Sequence, residues 1–317
     1  MHALRATVAT HPRFLAAGLA LATAAFVAVG GVGLDRYAWN YWLYRGFPPP
    51  TDPAYVTQRG HVERISVTSA ALGGRTQPVY VYLPPGYDRN PERRYPVLYL
   101  LHGFPGRPLA FMLTVRAGVV EDELFAKRIG RPMILVMPYG STGTFTDKEW
   151  VDGASPGEGW ATFVSRDVVH AVDGSLRTIP RAADRAIGGL SEGGYGAINI
   201  ALHHPREFGV VESWSGYERA AHNHSVFGKH LALVARNSPI SYLPRVARKL
   251  RRAGTYFWLY SGRDDPLRKQ NRAFAQELAR EHIPHRYEAL PGGHNWALWR
   301  GKAQASLLAA ERRLAHG

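Results

Sequence analysis

The stretch Ala186-Ile187-Gly188-Gly189-Leu190-Ser191-Glu192-Gly193-Gly194-Tyr195-Gly196-Ala197 constrains the fold of this chain more than any other. It reads as the end of a buried strand, a sharp turn and the start of a helix, with one serine at the apex. Gly189-Leu190-Ser191-Glu192-Gly193 sets a glycine on each side of that serine, because a strained turn that exposes a hydroxyl leaves no room for side chains where strand and helix pass each other. Arg185 to Leu190 is a short strand-like run and Tyr195 to His203 an amphipathic helix. In that context Ser191 is expected to be a nucleophile; the alternative is a glycine-rich turn in an ordinary βα unit.

The remaining pattern predicts an α/β fold with a mostly parallel sheet and helices on both faces. His61 to Ser69 alternates as an edge strand, and Pro78 to Leu83, Pro96 to Leu101, Pro132 to Met137, Val210 to Trp214 and Thr255 to Tyr260 are short apolar runs bounded by turn residues. Thr162 to Ile179 has a helical period. Strands alternating with helices build parallel sheets. Residues 216–244 lack clear periodicity and fit either a lid over the site or a surface excursion.

A serine nucleophile needs a base, an acid to orient it and donors aimed at the developing oxyanion. In α/β hydrolases the chain order is Ser, then Asp or Glu, then His. Among 14 histidines, His294 in Leu290-Pro291-Gly292-Gly293-His294-Asn295-Trp296 is best placed, on a glycine-rich loop following a strand. The acid is expected in Ser261-Gly262-Arg263-Asp264-Asp265-Pro266, where one aspartate serves the histidine and the other caps the next helix. Leu101-His102-Gly103-Phe104-Pro105-Gly106 reads as the turn that gives one oxyanion donor, the backbone N–H of Phe104; the N–H of Glu192 is the second. His102 is expected to brace this turn. Trp150, Trp160, Trp296 and Trp299 fit either an apolar pocket or the core.

Taken together, the strand-HG turn, the GGLS-x-GGYGA elbow, the G-x-x-D segment and the late PGGH-x-W segment make residues 60–300 resemble the esterase-D family, whose relatives include S-formylglutathione hydrolases, feruloyl esterases and antigen 85 mycolyltransferases. The resemblance implies the α/β-hydrolase fold, acyl-ester or thioester chemistry on an acyl ester substrate, and no metal or organic cofactor. It also implies Asp265 as the acid, since the family places that group three residues after a glycine, here Gly262. Family members often carry methionine after the serine, whereas this chain has Glu192. Antigen 85 relatives work outside the membrane and transfer acyl groups to sugars, so an acyltransferase of that type is the alternative to an esterase, although those relatives use a glutamate acid where this chain offers Asp264 and Asp265; a catalytically inactive binding module is a third reading.

Residues 14–34 form an uncharged run between Arg13 and Asp35, long enough for the roughly 20 residues a bilayer helix requires. With 1–13 as a cytoplasmic N-terminus, this run is expected to be an uncleaved transmembrane signal anchor. Tyr37, Trp39, Tyr41, Trp42 and Tyr44 follow at headgroup level, and the aromatic and proline-rich linker 35–54 leads to a hydrolase domain at 55–317. That domain then lies outside the cytoplasm. Secretion after cleavage near Ala22-Thr23-Ala24 is the alternative. There is no cysteine, which excludes disulfides and thiolate chemistry. The net charge of +14 favours anionic neighbours, and Arg245, Arg248, Lys249, Arg251 and Arg252 fit either an anionic-surface contact or a solvated helix face. No nucleic-acid module is present.

Overall fold

Residues 17–27, 51–143, 145–221 and 223–314 are described by a computed structural model, and its chain divides into two units, Met1–Pro48 and Pro49–Gly317. In the first, residues 17–27 form an exposed helix. No helix among the described residues is long and apolar enough to cross a membrane. The rest of the 14–34 run, the aromatic cluster and the proline spacer lie outside the described residues.

The second unit is built on eight strands: β1 (His61–Ser69), β2 (Arg75–Leu83), β3 (Val97–Leu101), β4 (Ile134–Pro138), β5 (Arg185–Gly189), β6 (Val210–Trp214), β7 (Tyr256–Gly262) and β8 (His285–Leu290). They lie in the order β1-β2-β4-β3-β5-β6-β7-β8. The first two neighbour pairs, β1 with β2 and β2 with β4, are antiparallel, and every other pair is parallel. β3, β4, β5 and β6 are buried along their whole length, which is why they read as continuous apolar runs rather than alternating ones. β1 is an edge strand as expected. β8 forms the opposite edge and was not expected from the sequence, because none of its residues is fully buried and its polar residues hide the strand pattern.

Side-chain alternation on β3 divides the core. Val97, Tyr99 and Leu101 enter one layer, with residues of α2 (Trp160–Thr162, then π-wound over Phe163–Val168, then Val169–Ser175), α3 (Glu192–His203), α4 (Pro239–Ala253) and α5 (Arg268–Arg280). Leu98 and Leu100 enter the other, with α1 (Ala117–Ala126) and α6 (Trp296–Leu314). Each such side chain removed from water contributes about 1.5–3 kcal/mol before the chain entropy it opposes. The sheet is thus packed between helices, and the loops after β3, β5, β7 and β8 meet at one end of it.

The segment 216–244 contains two short helices, His224–Phe227 and Leu231–Arg236, before α4 begins. Val226 and Phe227 from this stretch pack with Val151 and Tyr195 as a third small core.

Candidate active site

Ser191 sits between β5 and α3 with φ 55° and ψ −121°, a left-handed conformation that a non-glycine residue adopts at a cost of about 1–3 kcal/mol. Three backbone bonds hold it there: Ser191 N–H donates to Trp214 O at 2.9 Å, Gly193 N–H to Leu190 O at 2.9 Å, and Tyr195 N–H to Ser191 O at 3.1 Å. The flanking glycines are required by space. A Cβ on Gly193 would lie 1.8 Å from Leu101 O, and one on Gly189 would lie 2.5 Å from the same oxygen.

The base and the acid are brought over the serine by a close crossing of two loops. At the end of β7, Arg263 N–H donates to Leu290 O at 2.7 Å and Asp264 N–H to Gly292 O at 3.0 Å. A side chain at Gly262 would meet Gly292 O at 2.2 Å, so glycine there lets the loop after β8 lie directly on the loop after β7. His294 then places Nε2 2.9 Å from Ser191 Oγ and Nδ1 3.1 Å from Asp265 Oδ2. Its ring meets Trp299 edge-on at 5.0 Å. Burial alone would raise the Asp265 carboxyl, but hydrogen bonds from His294, Ser215 and the Leu267 amide outweigh it and hold the group below its ordinary value. Asp265 is therefore a carboxylate, the form that fixes the imidazole tautomer with Nδ1–H toward the acid.

Asp264 does not cap α5 as expected: the N-cap is Leu267, with no side-chain cap bond, and the turn that leads into the helix is closed by Asp265. Its Oδ1 accepts from Leu267 N at 2.8 Å while Oδ2 faces His294. One carboxylate with two oxygens serves both donors, and Asp264 is left exposed.

The turn after β3 abuts the elbow, since a Cβ on Gly103 would lie 3.1 Å from the Ser191 Cβ. Phe104 follows in this turn, and Glu192 is the first residue of α3, where helix amides have no intrahelical partner and the helix dipole favours negative charge. His102 braces the turn as expected. Burial pushes it down to about 4, so it is neutral. Its Nδ1 lies 2.9 Å from Gly103 O and its Nε2 3.2 Å from Gly140 N, which makes Nδ1 the donor and Nε2 the acceptor.

Sequence reasoning missed Asp147, Glu149 and Tyr217, which pack around Trp150 and α3. Trp150 Nε1–H donates to His102 O at 2.9 Å, and Tyr217 O–H donates to Glu149 Oε2 at 2.8 Å. Glu149 and Trp150 both have positive φ, 54° and 52°. The one signal available was Glu192, a charged residue in the apolar elbow. Trp150 and Trp160 belong to the buried core, while Trp296 and Trp299 stand beside His294. No group of residues that could hold a metal ion occurs among the described residues.

An eight-stranded sheet of this order, with a strained serine after β5 and a histidine after β8, defines the α/β-hydrolase class. Within that class, the chain belongs to the Esterase family, whose family model it matches over residues 69–310. It is 32% identical over 200 residues to an endo-1,4-beta-xylanase/feruloyl esterase of Xylanibacter ruminicola, covering 59% of this chain and 27% of that protein. It is 29% identical over 244 residues to an esterase of Mycobacterium tuberculosis, covering 68% and 52%. The chain thus spans about half or less of the length of these two relatives. Among solved structures, a ferulic acid esterase superposes with a TM-score of 0.71 at 25% identity, covering 81% of this chain and 99% of that one.

Proposed function

We propose that this protein is a serine carboxylic-ester hydrolase that works through an acyl-enzyme on Ser191. The observation that carries the reading is the continuous chain from Ser191 Oγ through the His294 ring to Asp265. Ser191 Oγ attacks the ester carbonyl carbon as its proton passes to His294 Nε2, and Asp265 stabilises the imidazolium. The carbonyl oxygen becomes an oxyanion held by the amides of Phe104 and Glu192. Collapse breaks the ester C–O bond, and His294 returns the proton to the departing alcohol. Water then enters by the same route, giving the free acid and regenerating Ser191. Hydroxycinnamoyl esters are the first acyl donors to try, since the 32%-identical relative includes a feruloyl esterase.

The setting we infer is the outer face of a membrane, with the domain tethered by the run 14–34. The length of that run and the aromatic residues after it support this reading. On α4, Arg245, Arg248, Lys249, Arg251 and Arg252 are exposed, which supports contact with an anionic surface.

Covalent labelling tests the chemistry. A fluorophosphonate probe should modify Ser191, and Ser191→Ala should abolish both labelling and ester turnover; retained labelling at another serine would move the site elsewhere. A periplasmic reporter joined after residue 60 tests the setting, and is expected to be active.

A further inference from the structure

We propose that Trp150 is a positioning residue for the oxyanion site: together with His102 it fixes the plane of the Gly103–Phe104 peptide, and through α3 it sets that peptide against the Glu192 amide. This rests on the serine-esterase reading above, in which the Phe104 and Glu192 amides receive the oxyanion. Trp150 is fully buried, and its backbone takes φ 52°. A non-glycine residue keeps such a conformation only where its surroundings over-determine it, and strain of this kind concentrates at functional sites. Here the surroundings are the oxyanion turn, the loop after β4 and the elbow helix. The indole Nε1–H donates to the carbonyl of His102 at 2.9 Å, and the two rings meet edge-on with centroids 5.0 Å apart. A Cβ on Gly140 would lie 2.3 Å from Trp150 Cη2, and one on Gly196 would lie 2.5 Å from Trp150 Cβ. Glycine at both positions lets the indole fill the slot between the loop after β4 and α3. Gly196 stands one helical turn after Glu192, so the same side chain touches the helix that carries one donor and the turn that carries the other.

Planar peptide geometry carries this hold from His102 to Phe104. A trans peptide points its C=O and its N–H in opposite directions, and the Gly103–Phe104 bond is trans. Gly103 O accepts from His102 Nδ1–H at 2.9 Å, while His102 Nε2 accepts from Gly140 N–H at 3.2 Å. His102 is thus held at its carbonyl by Trp150 and at Nε2 by Gly140, and its remaining ring nitrogen grips Gly103 O. Turning the Gly103–Phe104 peptide would swing the Phe104 amide away from its direction and break the bond to His102. Because His102 is buried, no water replaces that bond, and an orphaned donor in such a place is costly. Gly106 packs on the same carbonyl, since a Cβ there would lie 2.1 Å from Gly103 O. An oxyanion develops only on the way to the tetrahedral intermediate, so amides that lose their aim lower kcat and leave substrate binding in place.

The test is steady-state kinetics of the full-length protein on a 4-nitrophenyl ester, with each rate divided by the amount of Ser191 that a fluorophosphonate labels at completion. Affinity for an aryl trifluoromethyl ketone is measured beside it. Ser191 Oγ adds to the ketone carbon, the Oγ proton passes to His294, and the carbonyl oxygen becomes an oxyanion facing the same two amides. Trp150→Phe keeps an aromatic ring and removes the N–H. It should lower kcat at least about tenfold with KM within about twofold, and weaken the ketone by about the factor lost in kcat/KM. His102→Asn keeps an N–H donor near the place of Nδ1, so it should retain at least about ten times the kcat of His102→Leu. A Trp150→Phe variant with wild-type kcat and ketone affinity overturns the proposal even if it melts earlier, and so does equal kcat in His102→Asn and His102→Leu. A wild type that neither turns over nor labels would instead overturn the serine-esterase reading.

Discussion

The amide of Ser191 donates to the carbonyl of Trp214, the last residue of β6, at 2.9 Å. The nucleophile's strained backbone is thus continued into the neighbouring strand, which the isolated bridge between Leu190 and Trp214 extends by one residue past the end of β5. Strain of about 1–3 kcal/mol persists only where surrounding bonds over-determine the conformation. Here it is fixed from the sheet below, by the helix behind and by glycines on both flanks.

Those flanks give the first prediction. Gly193→Ala places a methyl group 1.8 Å from Leu101 O and 2.8 Å from His102 O, so α3 must move away from the turn that carries Phe104. Overpacking of this kind costs about 1–3 kcal/mol. Urea denaturation should show that loss, and kcat should fall at least tenfold in the fraction that remains folded. Wild-type turnover in this variant would show that the elbow is not held as tightly as its contacts require.

A second prediction concerns Glu212, on β6 beneath α6. Its Oε2 accepts from Trp214 Nε1 at 3.0 Å and from the Ser306 hydroxyl, and burial raises its carboxyl to about 8. The native state therefore keeps a proton that the unfolded chain releases near 4.5. Stability attached to this group is complete below the unfolded value and falls as pH rises from there through about 8. Glu212→Gln keeps the shape without the titration. Its melting temperature relative to wild type should rise between about pH 5 and pH 9, and a constant difference would mean that Glu212 does not titrate in that range.

Much of the fold was legible because the buried strands are short, apolar and bounded by turn residues. Val210 to Trp214 and His61 to Ser69 match β6 and β1 in their bounds. The sheet is mostly parallel, as the alternation of strands with helices implied. β8 escaped because an edge strand carrying His285, Arg286 and Glu288 has no continuous apolar face. In the site, Ser191 and His294 could be named because each lies in a local pattern of glycines and turn residues, Asp265 was preferred to Asp264 through the family resemblance alone, and the fold brings the three together. Glu149 and Tyr217 could not. They lie in loops without periodicity, and only tertiary packing sets them beside Glu192. The expected cap at Asp264 failed for a related reason: sequence spacing cannot tell which of two adjacent carboxylates points inward.

The last prediction separates those two aspartates. Asp265 directs Oδ2 to His294 Nδ1 at 3.1 Å and Oδ1 to the Leu267 amide at 2.8 Å, so both oxygens face donors. An asparagine supplies one acceptor and one NH2 group. Whichever way it turns, one donor meets another donor. If the amide faces His294, it favours the wrong tautomer, with Nδ1 as acceptor and the proton on Nε2, where it cannot take one from Ser191; kcat should fall by about 10⁴ at neutral pH. If it faces Leu267, a buried N–H is left unpaired, at a cost of about 1–3 kcal/mol. Asp265→Asn should therefore lose turnover and lower the melting temperature. Asp264→Asn changes an exposed side chain and should stay within about 0.5 kcal/mol of wild-type stability, with kcat within about tenfold. Steady-state kinetics and thermal melts of both variants in the same buffer decide it. An inactive Asp264→Asn beside an active Asp265→Asn would place the acid one residue earlier, and would mean that the loop after β7 is rotated from the conformation that pairs Asp265 with His294.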